Sequence, residues 1–433
     1  MRKLFSLNCI FFYLILFNIH NSYGAKNEYK VEKFELGRLL FFDKIISGNK
    51  NISCASCHHP LTGSGDGLSL PLGEGARGLG ISRAETSTKI HERVPRNSPH
   101  LFNVGHEDIP NYFADGRVEK NKHFQSNAKT PAGHDLPEGF ESILAAQAVF
   151  PITSPVEMAG QAHENEIGAS ASISDFKGVW RKTTSRIVAI AEYVELFKKA
   201  YPNKVTSKED INITHIGNAI ATFEKNAFKA NDAPYDRYIS GDLSALSNRQ
   251  IQGMKLFNQK GKCISCHSGE LFSDFKFYSI SQPQIGPGKG VGFKSREDFG
   301  RELVTKNIKD RYRFRTPSLR NIKVTAPYGH SGAYNSLNKM IQHHVNPEKM
   351  LLEYNIDKNT SLPIIKNSLG SIILNNKILN RKILASSDLP SISIVDSEID
   401  LIIEFLGSLT DERCLDMRKF VPKRVPSNLP VFD

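Results

Sequence analysis

Two five-residue stretches decide the fold of this chain, Cys54-Ala55-Ser56-Cys57-His58 and Cys263-Ile264-Ser265-Cys266-His267. The pattern Cys-x-x-Cys-His is the attachment signature of c-type haem. The two thiols reach the two vinyl groups of one macrocycle, and the adjacent histidine is held against the iron as its proximal ligand. One match alone is a weak signal, because redox and zinc sites also use Cys-x-x-Cys. Two matches, behind the export signal described below, predict two covalently bound haem c groups.

The sequence around the two motifs is repeated as well. Residues 37–42 (GRLLFF) precede the first motif, and residues 253–257 (GMKLF) precede the second. Each resembles the end of a helix that packs Leu and Phe against a haem. The repeat predicts a mostly α fold with two cytochrome-c-like haem domains, long loops and few strands. We place the domains at residues 25–235 and 236–433, because Asn231-Asp232-Ala233-Pro234 interrupts the helical pattern.

Hydrophobic periodicity supports a helical fold. Apolar residues recur at three- and four-residue spacing in several segments, which predicts helices there. These segments are 141–150, 186–199, 212–228 and 397–409. Stretches rich in Gly, Pro, Ser and Asn predict loops that wrap the cofactors. The loop stretches are 59–100, 105–139 and 279–300.

Residues 1–24 have the features of a Sec-type signal peptide. Arg2 and Lys3 give a positive start, an apolar run follows, and Ser22-Tyr23-Gly24 offers small residues for cleavage. The alternative is an uncleaved N-terminal anchor. No other segment approaches the ~18 apolar residues that a spanning helix needs. We therefore expect an exported, periplasmic protein without a stable membrane anchor.

Charge and cysteine use narrow the function classes further. The net charge is +11, but the basic residues are scattered among acidic ones, so we expect no nucleic-acid partner. Of the six cysteines, four lie in the two motifs and Cys9 lies in the predicted signal peptide. Cys414 is left over, and the sequence leaves open whether it is buried, free or intermolecular.

Beyond the two motifs, the sequence resembles the bacterial di-haem cytochrome c peroxidase and MauG family from about Gly37 to Leu409. The segments that carry the resemblance are Pro95-Arg96-Asn97-Ser98-Pro99, Asp115-Gly116-Arg117, Pro155-Val156-Glu157-Met158, Arg315-Thr316-Pro317-Ser318-Leu319-Arg320-Asn321 and Ala326-Pro327-Tyr328-Gly329-His330-Ser331-Gly332. The resemblance implies a di-haem peroxidase that reduces hydrogen peroxide. Electrons would come from an exported donor, either a small c-type cytochrome or a copper protein. Alternatives are MauG-like oxidation of side chains on a partner protein, and a non-catalytic electron-transfer cytochrome or haem sensor.

The resemblance also implies a catalytic pair. The family places Gln, and ten residues later Glu, over the open face of the N-terminal haem, and Gln147 and Glu157 match that spacing. A carboxylate can take a proton from peroxide and return it to the leaving oxygen, while a neutral amide can orient peroxide without adding charge. On spacing alone, Gln147 would be a helix-surface residue and Glu157 a cap or surface charge. Within the family match we predict that both are catalytic.

Two further ligand sets follow from the resemblance. Family members hold a calcium ion between the haems, and the matching ligands are Asn97, Thr325 and Pro327; carbonyl oxygens suit such a hard cation. The alternative is that Asn97 only braces a proline-rich turn. The sixth ligand of the C-terminal haem is Met in peroxidases and Tyr in MauG, and here the position holds His344. With His267 it would give a bis-His iron, whereas the neighbouring His343 is interpreted as exposed.

Besides His344, two further positions depart from the family. The Trp that usually precedes Asp-Gly-Arg, as an electron relay between the haems, is Ala114 here, so the relay stays open. The His that often blocks the N-terminal haem is replaced by Lys89, with His91 two residues later. We interpret His91 as a solvent-exposed loop residue, the alternative being ligation after a loop shift. The N-terminal haem is then expected to be five-coordinate and open.

Overall fold

A computed structural model describes residues 31–85, 90–124, 126–362 and 376–432. The described chain is mostly helical, and the strands are few and short, which confirms the predicted fold class. The predicted signal peptide and Lys89 lie outside these residues. No helix within the described ranges is long and apolar enough to cross a membrane.

The helices are labelled in chain order over the described residues. They are α1 (31–42), α2 (Cys54–Cys57), α3 (Ile143–Gln147), α4 (Glu166–Ser172), α5 (Phe176–Val188), α6 (Ala191–Ala200), α7 (Ile213–Ala227), α8 (Pro234–Ile239), α9 (Asn248–Asn258), α10 (Glu302–Thr305), α11 (Leu337–Val345), α12 (Pro347–Leu352), α13 (Ile356–Asn359), α14 (Lys377–Ala385) and α15 (Asp396–Gly407). The long gaps between α2 and α3 and between α9 and α11 hold the predicted cofactor loops.

All the described strands belong to small antiparallel ladders within these loops. The strands are β1 (Ala76–Arg77), β2 (Ala84–Glu85), β3 (Asn111–Tyr112), β4 (Val118–Lys120), β5 (Ala128–Lys129), β6 (Phe277–Tyr278) and β7 (Phe314–Arg315). Their pairs are β1 with β2, β3 with β4, β4 with β5, and β6 with β7. Such short ladders fix loop shape without forming a sheet layer.

Two of the predicted helical segments are confirmed by α7 and α15, but the segment 186–199 is not one helix. The chain breaks between α5 and α6, where Ile190 takes an extended conformation (φ −98°, ψ 110°). In the segment 186–199, the three- and four-residue spacing of apolar residues continues across the break, because both helices pack an apolar face against the same core. Periodicity alone therefore does not detect the turn. Segment 141–150 is helical only over α3, whose N-terminus is capped by the Ser142 side chain.

In each half, two long helices cross in close contact at a glycine. In α1, a Cβ at Gly37 would lie 1.9 Å from the carbonyl oxygen of Ala219 in α7. In α9, a Cβ at Gly253 would lie 1.9 Å from the carbonyl oxygen of Leu401 in α15. No side chain fits at such distances, so each half pairs its first and last long helices through a bare backbone. This is the structural form of the sequence repeat.

Each half has its own aromatic core. Phe41, Phe223 and Phe228 pack together in the first core, and Phe257 and Phe405 pack in the second. Phe257 also lines the cavity described below, whereas Phe41 lies behind it. The Phe of the second repeated segment therefore lies at the cavity wall, whereas Phe41 of the first segment lies within the core of its half.

The end of the chain returns to the first half. Cys414 and Met417 are buried in the first core, and the Ser427 hydroxyl donates to Asp43 Oδ1 at 2.6 Å. Cys414 is therefore a buried core residue, and among the described cysteines it forms no disulfide. The domain limits at residue 235 stay a prediction, and these contacts show that the last residues stabilise the first half.

Candidate active site

A continuous cavity between the two halves is lined by both Cys-x-x-Cys-His motifs. Cys54, Cys57, Cys263 and Cys266 all reach this cavity, and none of them is in a disulfide in the described part of the chain. Most of the remaining wall is apolar. Four free thiols on the wall of one apolar cavity are what covalent attachment of two flat, apolar macrocycles needs.

Both motif histidines are oriented for metal binding. The Nδ1–H of His58 donates to the carbonyl oxygen of Ser64 at 3.2 Å, and that of His267 donates to the carbonyl oxygen of Phe272 at 3.0 Å. These bonds fix the tautomer and leave each Nε2 lone pair free. Burial lowers the pKa of His58 and lowers that of His267 to about 4, so both rings are neutral. A neutral imidazole is the form that ligates haem iron.

His344 meets the requirements for a second ligand of the C-terminal haem. It lines the cavity from α11, and its Nδ1–H donates to the carbonyl oxygen of Met340 at 2.8 Å. Burial lowers its pKa, and His344 acts electrostatically on His267, so the two rings share one part of the cavity. Nε2 of His344 is left free for a metal.

The interpretation of His343 as exposed is wrong. Its side chain is fully buried, and both of its nitrogens are occupied. Nδ1 accepts a hydrogen bond from the Tyr334 hydroxyl at 2.9 Å, and Nε2–H donates to the carbonyl oxygen of Ile280 at 2.7 Å. Helix α11 is packed on two sides. Adjacent residues of a helix point in different directions, so His344 faces the cavity and His343 faces the core. His343 is therefore not available as an iron ligand.

Gln147 and Glu157, the predicted catalytic pair, line the same cavity as His58. Gln147 ends α3, and Glu157 lies in a single π-helical turn, Pro155–Ala159. Part of the Glu157 surface stays accessible and faces the cavity. Burial raises the pKa of Glu157, while the charges of Arg117, Lys289 and Arg96 oppose the rise. A carboxyl under these opposing influences is suited to hold and release a proton, as an acid–base group must.

The family motifs around Arg96 and Asp115 form an ion-pair network that joins the two halves. Arg96 contacts Asp115 at 2.6 Å and Asp298 of the second half at 2.7 Å. Arg117 pairs with Asp115 at 3.3 Å and lies 3.5 Å from the centre of the Phe113 ring. The arginines are thereby held beside Glu157 with their charges already balanced by aspartates.

Lys289 is a site residue that the sequence reasoning missed. It comes from the second half but lines the cavity beside Glu157 of the first half. It was placed only in a predicted loop, because charge pattern and periodicity carry no information on contacts between halves. The one available signal is its glycine-rich surrounding, Gly286-Pro287-Gly288-Lys289-Gly290.

Arg315 tests whether the cavity fits haem. Its Nε is buried and has no hydrogen-bond partner in the described part of the chain. Burial lowers its pKa to about 10, so the guanidinium is still charged at neutral pH. A buried cation needs an anionic partner. A haem propionate carboxylate would supply that partner, so the cavity fits haem in charge as well as in its thiols and imidazoles.

A backbone path connects the two motif histidines at the boundary between the halves. The backbone of Pro99 acts on the pKa of His58, and that of Pro317 acts on the pKa of His267, so each proline lies close to one motif histidine. The next residues, His100 and Ser318, contact each other: His100 Nε2–H donates to the Ser318 carbonyl oxygen at 3.3 Å. This contact lies in two copies of the pattern Pro-x-Leu-x-Asn, which end at Asn103 and Asn321.

The three predicted calcium ligands all reach the cavity wall. Asn97 donates through Nδ2 to the carbonyl oxygen of Leu68 at 2.8 Å, and its backbone N–H donates to the His330 carbonyl oxygen at 2.9 Å. The first bond fixes the amide group, with its Oδ1 atom still able to ligate. Calcium at Asn97, Thr325 and Pro327 stays a prediction.

Of the residues at or near the positions that depart from the family, Ala114 lines the cavity and His91 does not. Ala114 lines the cavity, and its carbonyl oxygen accepts from Arg315 N at 2.8 Å. His91 is exposed, pairs with Glu164 at 3.2 Å and is not part of the cavity wall. As placed, His91 does not cover the N-terminal site.

Comparison with known proteins gives the following similarities. A family model described as di-haem cytochrome c peroxidase matches residues 31–244. Cytochrome-c peroxidase IdrP1 of Pseudomonas sp. (strain SCT) is 30% identical over 336 residues, which are 73% of this chain and 72% of that protein. Methylamine utilization protein MauG of Methylorubrum extorquens is 30% identical over 316 residues, which are 72% of this chain and 69% of that protein.

Among solved structures, the chain resembles a MauG-like protein associated with microbial copper homeostasis. The TM-score is 0.60 at 23% identity, over 90% of this chain and 92% of that chain. At this level of identity the likeness concerns the fold alone.

Proposed function

The chain belongs to the di-haem cytochrome c peroxidase family, and from this membership we propose that it reduces hydrogen peroxide to water in its N-terminal half. The electrons come from an exported donor and enter through the C-terminal half. The observation that carries the proposal is a raised-pKa carboxyl, Glu157, in the same cavity as His58 and Gln147. The reaction takes two electrons and two protons for each peroxide and yields two waters.

The residues that hold the cofactors divide between the halves. Cys54, Cys57 and His58 hold the N-terminal haem, while Cys263, Cys266, His267 and His344 hold the C-terminal haem. When bound, the haems supply the iron chemistry that accepts, stores and passes on electrons. Arg315 would pair with a haem propionate, and Asn97, Thr325 and Pro327 would hold a calcium ion at the boundary between the haem sites.

Proton movement is the task of Glu157. Its carboxylate accepts a proton from one peroxide oxygen and returns it to the other, which leaves as water. Gln147 orients peroxide through its neutral amide, so it adds no charge that would disturb the pKa of Glu157. The charge of Arg117 opposes the rise that burial causes in that pKa, which favours the carboxylate form.

The donor is a small redox protein of the periplasm, a c-type cytochrome or a copper protein. The predicted export signal places enzyme and donor in the same compartment. The donor surface lies near the C-terminal motif, where Ile264 is an exposed apolar residue next to Cys263.

The test is Glu157→Gln in fully haem-loaded protein, with peroxide consumption measured against a reduced cytochrome. We expect a loss of about 100-fold or more, the usual effect of removing an acid–base group. Because burial raises the pKa of Glu157, wild-type activity should fall with decreasing pH already above the ordinary Glu value of 4.5. The variant should lack this acid limb. Glu195→Gln on exposed α6 is the matched control. Wild-type turnover in Glu157→Gln would contradict the proposal.

A further inference from the structure

A second cavity, called the cleft below, leads from the protein surface to the proposed peroxide site. It has a volume of about 450 Å³ and lies between Glu92 and Ser154 of the first half and residues 287–296 of the second half. Its outer wall includes exposed residues, among them Glu92 and Lys294. Three residues line both this cleft and the haem cavity: Pro95, Glu157 and Lys289. The cleft therefore ends at Glu157 and Lys289.

The backbone of Lys289 is held in a tight hairpin. Its N–H donates to the carbonyl oxygen of Glu297 at 3.0 Å, and Val291 forms an antiparallel bridge with Glu297. Gly288 has φ +70°, and a Cβ there would lie 2.2 Å from the Arg296 carbonyl oxygen. Only glycine allows the two arms of the hairpin to approach this closely. The hairpin fixes the point from which the Lys289 side chain enters the site.

Lys289 differs from the neighbouring arginines in that it has no direct ion pair among the described residues. Arg96 and Arg117 are paired with Asp115 and Asp298 at 2.6 to 3.3 Å. Lys289 has no carboxylate oxygen within 4.0 Å among the described residues. Burial and the charges of Arg96 and Arg117 lower its pKa, while Asp298 and Asp115 oppose this from farther away. An anion bound beside Lys289 would favour its ammonium form. At the inner end of the cleft, Lys289 is thus the basic group whose charge is not taken up by a direct ion pair. Its charge also acts on Glu157.

We propose that Lys289 is a further catalytic residue, whose ammonium holds the anion that peroxide becomes when Glu157 takes its proton. This rests on the proposed function. Glu157 removes the proton from one oxygen, and the negative charge left on peroxide is balanced by Lys289. The O–O bond breaks as the same proton passes to the second oxygen, which leaves as water. The first oxygen becomes the second water with two electrons from the exported donor and two protons from solvent.

Binding of a small anion tests the site without turnover. Azide is titrated into the oxidised, haem-loaded protein and followed by the haem spectrum, with neutral imidazole as an uncharged probe. Lys289→Met should weaken azide binding by about tenfold or more, since a buried charge-assisted contact is lost, and should leave imidazole binding unchanged. Lys289→Arg should keep most of the azide affinity. Lys309→Met, at an exposed lysine that lines neither cavity, should match the wild type.

Two results would overturn the proposal. Equal azide affinity in Lys289→Met and wild type would show that Lys289 does not face the ligand. Equal azide affinity with a changed reduction potential of the N-terminal haem would assign Lys289 to a propionate instead. Haem content is measured for each variant, and Lys289→Gln replaces Lys289→Met if the latter loads poorly. Should the wild type bind azide through Lys289 but not consume peroxide, the peroxidase proposal fails and the anion site stands.

Discussion

The side chain at position 344, the predicted sixth ligand of the C-terminal haem, would set what kind of electron acceptor that haem is. Axial ligands and surroundings together move haem potentials over ~0.8 V. Imidazole favours ferric iron relative to the thioether of the peroxidases, so His344 should give the C-terminal haem a lower potential than a Met ligand would. The sequence identified this residue through the family spacing. It did not identify the role of His343, because two adjacent histidines carry no information on which side of a helix is buried.

The pair His343 and His344 gives a matched prediction. His344→Met should raise the potential of the C-terminal haem, and His344→Ala should remove its low-spin spectrum, both measured by redox titration of the optical bands. His343→Ala should keep the low-spin spectrum but lower the free energy of unfolding by about 2 kcal/mol or more, since the buried Tyr334 hydroxyl loses its partner. An unchanged haem spectrum in His344→Ala would show that another residue is the ligand.

At the scale of elements, the repeated helix pairs were predicted in part. The periodicity of α7 and α15 is long and regular, so the sequence located both. The crossings themselves depend on how closely two backbones approach, which periodicity does not report; only the repeated Gly37 and Gly253 hint at them. The break between α5 and α6 was missed for the related reason that the apolar face continues through it.

The crossings predict the effect of a single methyl group. Gly37→Ala and Gly253→Ala should each lower the free energy of unfolding by about 1–3 kcal/mol, because the new Cβ meets a backbone carbonyl and the helices must separate. Gly65→Ala is the control, since a Cβ there would lie at an ordinary 3.6 Å from the nearest atom, the Ser98 carbonyl oxygen. Denaturant unfolding measures the free energy of unfolding of all three variants and the wild type. Equal stability in all three variants would mean that the crossings are looser than described.

At the scale of the whole molecule, the proposed function requires the two halves to exchange electrons without the family's tryptophan. The contact between His100 and Ser318 joins the backbone segments that lie beside both proximal histidines. The sequence could not reveal it, because the contact joins residues more than 200 positions apart.

The contact predicts a kinetic effect. His100→Leu, which removes the hydrogen bond but keeps bulk, should slow the redistribution of an electron from the C-terminal to the N-terminal haem after partial reduction, followed by stopped-flow absorbance. His123→Leu, at an exposed histidine, is the control. An unchanged rate in His100→Leu would show that electrons cross elsewhere.

The central claim is that peroxide reacts at an open N-terminal haem while the C-terminal haem is closed by His344. Low-temperature electron paramagnetic resonance of the fully oxidised protein, before and after one equivalent of hydrogen peroxide, tests it most directly. We expect one high-spin and one low-spin signal at rest, and loss of the high-spin signal on addition of peroxide without prior reduction. Two low-spin signals at rest, neither changed by peroxide, would contradict the account.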